Sequence, residues 1–208
     1  MTERPVAVVT GGSGGIGGAV IAELARVGYE THSWSRREGV DAADEGQVEA
    51  AASTLPRWDA LVNAAAILLP GSLVETSVAD WEATVRAGLT SAFLSSRAAL
   101  RRMLPGGRIV MVSSLSGYQG AEKFPGMAAY VAAKSGMTGL GEALAVEAKP
   151  RGIRVNTVSL GSVRTPMLAV AGAPHDPAFD PEQVAPVIVW LASPDSAPLS
   201  GANLRVEP

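Results

Sequence analysis

Val6-Ala7-Val8-Val9-Thr10-Gly11-Gly12-Ser13-Gly14-Gly15-Ile16-Gly17 is the stretch on which the fold turns. It opens on a continuous apolar run, which suits a strand buried on both faces. The glycines that follow allow tight turning and close approach of the backbone to a ligand. Beyond them Val20, Leu24 and Val27 recur at helical spacing. A strand, a glycine turn and a helix in that order present free amides and a positive dipole end, a seat for a pyrophosphate. The pattern G-x-G-x-x-G fits Gly12, Gly14 and Gly17. So many glycines make that match easy to meet, and the position between first strand and first helix carries the reading. The competing reading is an ordinary flexible connection.

Outward from this stretch, short apolar runs alternate with helical patterns. Thr31 to Ser35 reads as a weaker strand and the alanine-rich segment Gly46 to Leu55 as a helix. Ala60 to Asn63 is a short strand. Ser77-Val78-Ala79-Asp80 resembles a capping box, and Trp81, Val85, Leu89 and Ala92 mark a long helix behind it. Arg108 to Ser113 is a buried strand, Gly126 to Lys149 a second long helix, and Ile153 to Ser159 and Leu204 to Val206 are further strands. A helix near Pro181 to Ala192 lies between the last two. Strands alternating with helices give βαβ units: an α/β fold, a Rossmann-like doubly wound parallel sheet in three layers. No repeat or linker interrupts it, so one domain over residues 1–208 is expected, with a substrate loop at about Arg164 to Asp180.

Composition narrows the function. A chain of 208 residues that is 47% hydrophobic can bury a sizeable core. A net charge of -3 offers no electrostatic footprint for nucleic acid. There is no cysteine, and His32 and His175 stand far apart, so no metal site is expected. The apolar run after Met1-Thr2-Glu3-Arg4-Pro5 is too short for a signal peptide, and no run is long enough to span a membrane. A cytoplasmic protein is the expectation.

Tyr130-Val131-Ala132-Ala133-Lys134 supplies candidate chemistry. On a helix, that spacing puts phenol and ammonium on one face, about one turn apart. An ammonium near a phenol stabilises the phenolate, and such a pair can pass a proton to or from an alcohol or carbonyl oxygen. Alone, the pair also fits a solvated helix face. Near the end of the second strand, an acid would hold the adenosine ribose of NAD. Here the chain reads Ser33-Trp34-Ser35-Arg36-Arg37, which suits a 2′-phosphate and so favours NADP(H) over NAD(H). A solvated surface pair is the plainer account of the two arginines.

Taken together, these motifs resemble the short-chain dehydrogenase/reductase family over nearly the whole chain. The glycine stretch is similar to that family's TGxxxGxG loop, with Gly11, Gly15 and Gly17 as its glycines and Ser13 and Ile16 between them. Asp41-Ala42-Ala43-Asp44 resembles the segment whose first Asp meets the adenine. Asn63-Ala64-Ala65-Ala66 occupies the place of NNAG. Ser113-Ser114 ends the strong strand as the family's catalytic serine strand does, and Tyr130 and Lys134 match YxxxK. Asn156-Thr157-Val158-Ser159-Leu160-Gly161, with Val163 and Thr165 beyond, is similar to NxxxPG and its following cofactor-binding Thr. The resemblance implies Tyr130 as general acid, Ser114 as the hydroxyl that fixes the reacting oxygen, and Lys134 as the group that lowers the Tyr130 pKa and holds the nicotinamide ribose. Ser113 and Ser116 are rival hydroxyls; strand register favours Ser114. The cofactor contacts implied are Gly11, Ser13, Gly15, Ile16, Gly17, Arg36, Arg37, Asp41, Asn63, Ala64, Ala65, Tyr130, Lys134, Gly161, Val163 and Thr165. A homo-oligomer, dimer or tetramer, is implied with the helices near Trp81 to Arg102 and Gly126 to Lys149 as interface.

The departures are specific. Gly88 stands where the family has an Asn that helps kink its helix, so that a backbone carbonyl can hold a water leading from the lysine. Leu160 replaces a proline. The connection from Arg37 to Asp41 is short enough to suggest that the helix usual between the second and third strands is missing, which would open the adenine side. Glu207-Pro208 departs from a glycine-rich tail. Substrate walls are expected at Leu115, Gln119, Met127, Val163, Met167 and Leu168, with His175 in the loop. The leading expectation is a hydride-transferring reductase or dehydrogenase of a carbonyl/alcohol pair. The alternatives are a catalytically weak NADP(H)-binding regulatory or scaffold protein, and an epimerase or dehydratase.

Overall fold

The computed structural model describes residues 3–55, 57–171 and 176–208. Strand β1 (Val6–Thr10) leads through the glycine turn into α1 (Gly15–Arg26) and back to β2 (Glu30–Trp34). Then follow α2 (Glu45–Ser53), β3 (Ala60–Asn63), α3 (Val78–Val85), α4 (Ser91–Arg102) and β4 (Arg108–Ser114). The chain closes with α5 (Ala128–Ala148), β5 (Arg154–Leu160), α6 (Pro166–Ala171), α7 (Pro181–Leu191) and β6 (Asn203–Val206). The strands form one parallel sheet in the order β2-β1-β3-β4-β5-β6. From β1 the chain winds first to one side and then to the other. The strand order therefore reverses between β1 and β3, and a crevice opens there beyond their carboxyl ends.

Alternation along β1 sets the layers. Val8 faces a core of Trp34, Trp58, Leu61 and Met137, with Val48 of α2 and Ala98 of α4. Ala7 and Val9 face the other way, against Val20 and Leu24 of α1 and Ile188 of α7. Both sides are dry, which is why these strands read as continuous apolar runs rather than alternating ones.

The helix expected to be missing between the second and third strands is present as α2, in agreement with the alanine-rich reading of that segment. The short Arg37–Asp41 connection is only its approach. It holds a single 3₁₀ turn, Arg36–Glu38, after which Asp44 caps α2 by accepting a hydrogen bond from Gln47 N at 2.9 Å. The long helix marked by Trp81 to Ala92 is continuous but widens into a π-turn at Arg86–Thr90. At its start, Ser77 accepts from Asp80 N at 3.0 Å and donates to the Asp80 carboxylate at 2.7 Å.

The loop between β5 and α7 contains α6, and its two ends are stitched together. Ala178 N and Phe179 N donate to Ser162 O, and Arg164 N donates to Phe179 O. His175 and Pro174 lie outside the described residues. Among the described residues, no helix is long and apolar enough to cross a membrane.

Candidate active site

The crevice beyond β1 and β3 is a cleft of about 660 Å³. Its floor is the glycine turn. Gly11 takes φ +71° and donates to Trp34 O at 2.8 Å, so the first residue of the turn is tied to the neighbouring strand. A Cβ there would lie 2.8 Å from Ala65 Cα. At Gly17 a Cβ would collide with Gly11 O, so the turn can fold back onto α1 only over a bare Cα. Helix α1 starts with no side-chain cap and no acid in its first turn. Its opening amides and positive dipole end therefore face the cleft without a competing carboxylate, a fit for a pyrophosphate.

At one end of the cleft Arg36 and Arg37 stand exposed on the 3₁₀ turn after β2. Neither makes a side-chain hydrogen bond or ion pair among the described residues. Asp41 also lines the cleft, while its carboxylate accepts from Ala43 N at 2.9 Å.

The other end is built by β4 and α5. Gly117 packs so closely on α5 that a Cβ would come within 2.7 Å of the Lys134 backbone and side chain. This holds the segment after β4 against the helix that carries Tyr130 and Lys134. Lys134 is 3% exposed and donates from Nζ to Val112 O at 2.7 Å. Its Nζ lies 5.7 Å from the centre of the Tyr130 ring. Burial brings the lysine pKa down to about 8. Burial also pushes Tyr130 up to about 12, against the opposing pull of the Ser114 hydroxyl. Desolvation is the larger of the two effects on Tyr130. Tyr130 is therefore protonated at neutral pH. Part of its surface opens onto the cleft.

The register on β4 separates the rival serines. Ser113 is buried and donates to Lys134 O at 3.0 Å, so its hydroxyl fastens α5 to the sheet. Ser114 accepts from Ser116 N at 3.1 Å and keeps its own proton available beside Tyr130.

The cleft brings together Gly11, Ser13, Gly15, Ile16, Gly17, Arg36, Arg37, Asp41, Ala64, Ala65, Tyr130, Lys134 and Thr165. Four expected contacts lie off its wall. Ser114 is not on that wall, though its hydroxyl reaches Tyr130. Asn63 turns its side chain into the protein, accepting from Ser95 at 2.6 Å and donating to Ser96 at 3.0 Å, and so joins β3 to α4. Gly161 lies beside Leu115 and Phe179, and Val163 is buried in a bridge to Phe179 at the neck of the α6 loop.

The motifs missed Arg86, Ala87 and Ser91, which line the cleft at the π-turn. The Ser91 hydroxyl donates to Ala87 O at 2.6 Å and lies 3.0 Å from Gly88 O, so it closes the widened turn. Helical spacing of apolar residues carries no signal for such a turn.

Comparisons with known proteins agree with this geometry. A family model described as "Enoyl-(Acyl carrier protein) reductase" matches residues 19–207. Trans-4-hydroxycyclohexanecarboxylate dehydrogenase of Sinomonas cyclohexanicum is 37% identical over 166 residues, covering 77% of this chain and 63% of that protein, so the chain spans less than two thirds of that relative. Acetoacetyl-CoA reductase of Allochromatium vinosum is 33% identical over 239 residues, 97% of this chain and 96% of the relative. A solved short-chain dehydrogenase of Burkholderia cenocepacia in complex with NADP superposes with a TM-score of 0.87 at 27% identity, covering 98% of this chain and 96% of that one. The chain belongs to the short-chain dehydrogenase/reductase family and is an oxidoreductase.

Proposed function

We propose that the protein moves hydride between NADP(H) and a carbonyl/alcohol substrate, with Tyr130 as the general acid and base. The observation that carries this reading is the cleft itself. It joins two unpaired arginines at one end to Tyr130 and a buried Lys134 at the other, across uncapped helix amides. Arg36 and Arg37 would hold a 2′-phosphate, the opening of α1 the pyrophosphate, and Lys134 the ribose next to the nicotinamide. A nicotinamide bound there supplies or accepts the hydride.

The chain's own residues handle the oxygen. Ser114 and Tyr130 present hydroxyls to it and set the reacting geometry. In the reducing direction the Tyr130 proton passes to the oxygen as the carbon gains hydride, leaving an alcohol and a phenolate. The Lys134 ammonium lies near enough to stabilise that phenolate until a proton returns from solvent. A tyrosine that is protonated at neutral pH is prepared for reduction, whereas oxidation first requires its proton to leave. The substrates named for the two relatives share one chemistry, a secondary alcohol or ketone on a carboxylic acid or its CoA ester.

NADPH oxidation followed across a panel of ketones and aldehydes tests the proposal. No turnover with any carbonyl, despite tight NADPH binding, would overturn it in favour of a catalytically weak NADP(H)-binding protein. Gly88 is the observation that favours that second reading. A homo-oligomer built on α4 and α5 fits Phe93, 44% exposed, and Val146, 74% exposed, and light scattering decides it.

A further inference from the structure

Arg36 and Arg37 do not stand on a loose loop. Glu38, the next residue, is gripped by two hydroxyls: Ser35 donates to its carboxylate at 2.6 Å, and Ser33 donates to the same oxygen. Ser33 and Ser35 are two residues apart at the end of β2, so they share a face, while Trp34 between them points into the core. The backbone repeats the grip. Glu38 N and Val40 N both donate to Ser35 O, at 2.9 and 3.0 Å, and Gly39 closes the turn at φ +86°. Ser33 also leans on the glycine turn, since a Cβ at Gly12 would collide with its side chain.

The consequence is a sorting of charge. Arg36 and Arg37 line the cleft, whereas Glu38 lines a separate groove of about 470 Å³ outside it, beside His32, Thr54 and Leu55. The two serine hydroxyls hold the Glu38 carboxyl below its usual range, so it stays charged. A carboxylate just past the second strand of such a sheet is the group that takes ribose hydroxyls in NAD sites. Swung inwards, Glu38 would repel a 2′-phosphate; held outwards, it leaves that place to the guanidinium groups.

We propose that Ser33, Ser35 and Glu38 form a clasp that decides cofactor choice, holding the Glu38 carboxylate outside the cleft and turning Arg36 and Arg37 towards a 2′-phosphate. The inference rests on the NADP(H) reading above and adds the positioning residues that enforce it. Ser33 and Glu38 lie off the cleft wall and Ser35 stands at its edge; they act through the arginines and through a carboxylate kept away.

The test measures dissociation constants of NADPH and NADH, read from nicotinamide fluorescence, in the full chain. The S33A/S35A variant frees a charged Glu38 and is expected to lower the NADH-to-NADPH ratio of dissociation constants by about tenfold. Adding Glu38→Gln removes the freed charge and is expected to restore most of the ratio. Loss of folding integrity would weaken both cofactors together and leave the ratio in place. Ser35→Ala alone opens one arm of the clasp. It is expected to lower the ratio by about threefold, and it decides the matter if the double variant does not fold. An unchanged ratio in S33A/S35A with neither affinity weakened, or a lowered ratio that Glu38→Gln does not restore, overturns the clasp and leaves the NADP(H) reading standing. A wild-type protein that binds NADH as tightly as NADPH overturns both.

Discussion

At one end of the cleft Arg36 and Arg37 reach out from a single 3₁₀ turn into water; at the other, Lys134 is buried and Tyr130 half-buried, with their pKa values moved by burial. The outer end needs permanent charge, and an exposed guanidinium has it at no desolvation cost. The inner end needs groups that gain and lose protons, and burial brings the lysine to about 8 while keeping the phenol protonated. On the proposed function, recognition falls to solvated charge and chemistry to desolvated charge. A change at the outer end should therefore alter which cofactor binds, and a change at the inner end should alter what happens once it is bound.

The sharpest way to break that division is Tyr130→Phe. It removes the proton donor and keeps the ring, so kcat is expected to fall by about 10³-fold while the dissociation constant for NADPH stays within about twofold. Equal losses in both would mean that the two ends are not separable. Gly17→Val attacks the floor that they share. Its side chain must displace the Gly11 carbonyl, with an expected loss of about 3 kcal/mol in urea unfolding and of cofactor binding altogether.

Lys134→Met tests the cost of the buried charge. A lysine whose folded pKa lies near 8, below its ordinary value of 10.5, destabilises the fold at neutral pH, and that penalty is relieved as pH rises between those values. Removing the charge is expected to stabilise the cofactor-free protein at pH 7 by about 2 kcal/mol, after allowing for the hydrogen bond lost to Val112 O. Activity should disappear. The wild-type melting temperature should rise from pH 8 towards 10 through this group and fall above pH 10 as Tyr130, raised to about 12, comes to oppose it. A variant that melts at the same temperature as wild type throughout would contradict the desolvated inner end.

Arg36→Ala with Arg37→Ala bears on the outer end alone. NADPH affinity is expected to fall by about tenfold or more, with NADH affinity and kcat nearly unchanged. Smallest of all is Gly88→Ala. Its Cβ would meet Ala133 Cβ at 3.4 Å, a contact met by a small shift, so stability is expected to move by less than about 1 kcal/mol. A large drop in kcat there would show that the π-turn takes part in returning the proton to Tyr130.

Much of this was readable in the chain. Continuous apolar runs at Val6–Val9 and Ile109–Val112 announce strands buried on both sides, and the glycines between strand and helix place the phosphate end of the cleft. The weaker strand at Thr31–Ser35 forms at the sheet edge, where solvent on one side relaxes the demand for aliphatic residues. One reading is corrected for a local reason. A short Arg37–Asp41 segment looked like a lost helix, but the helix merely starts later, at the Asp44 cap. Asn63 stands in a motif that suggested a cofactor contact, yet its side chain is spent on Ser95 and Ser96, because the face that a residue presents depends on what packs over its strand.

The sequence by itself determined the order of strands and helices, the glycine turn and the one-turn spacing of Tyr130 and Lys134, because these are matters of local period and backbone freedom. Only the tertiary structure decided that Ser113 is spent on fastening α5, that Arg36 and Arg37 are unpaired among the described residues while Glu38 is held, and that burial raises the Tyr130 pKa. Those depend on desolvation and on partners brought from distant segments, and neither is encoded in the spacing of residues along the chain.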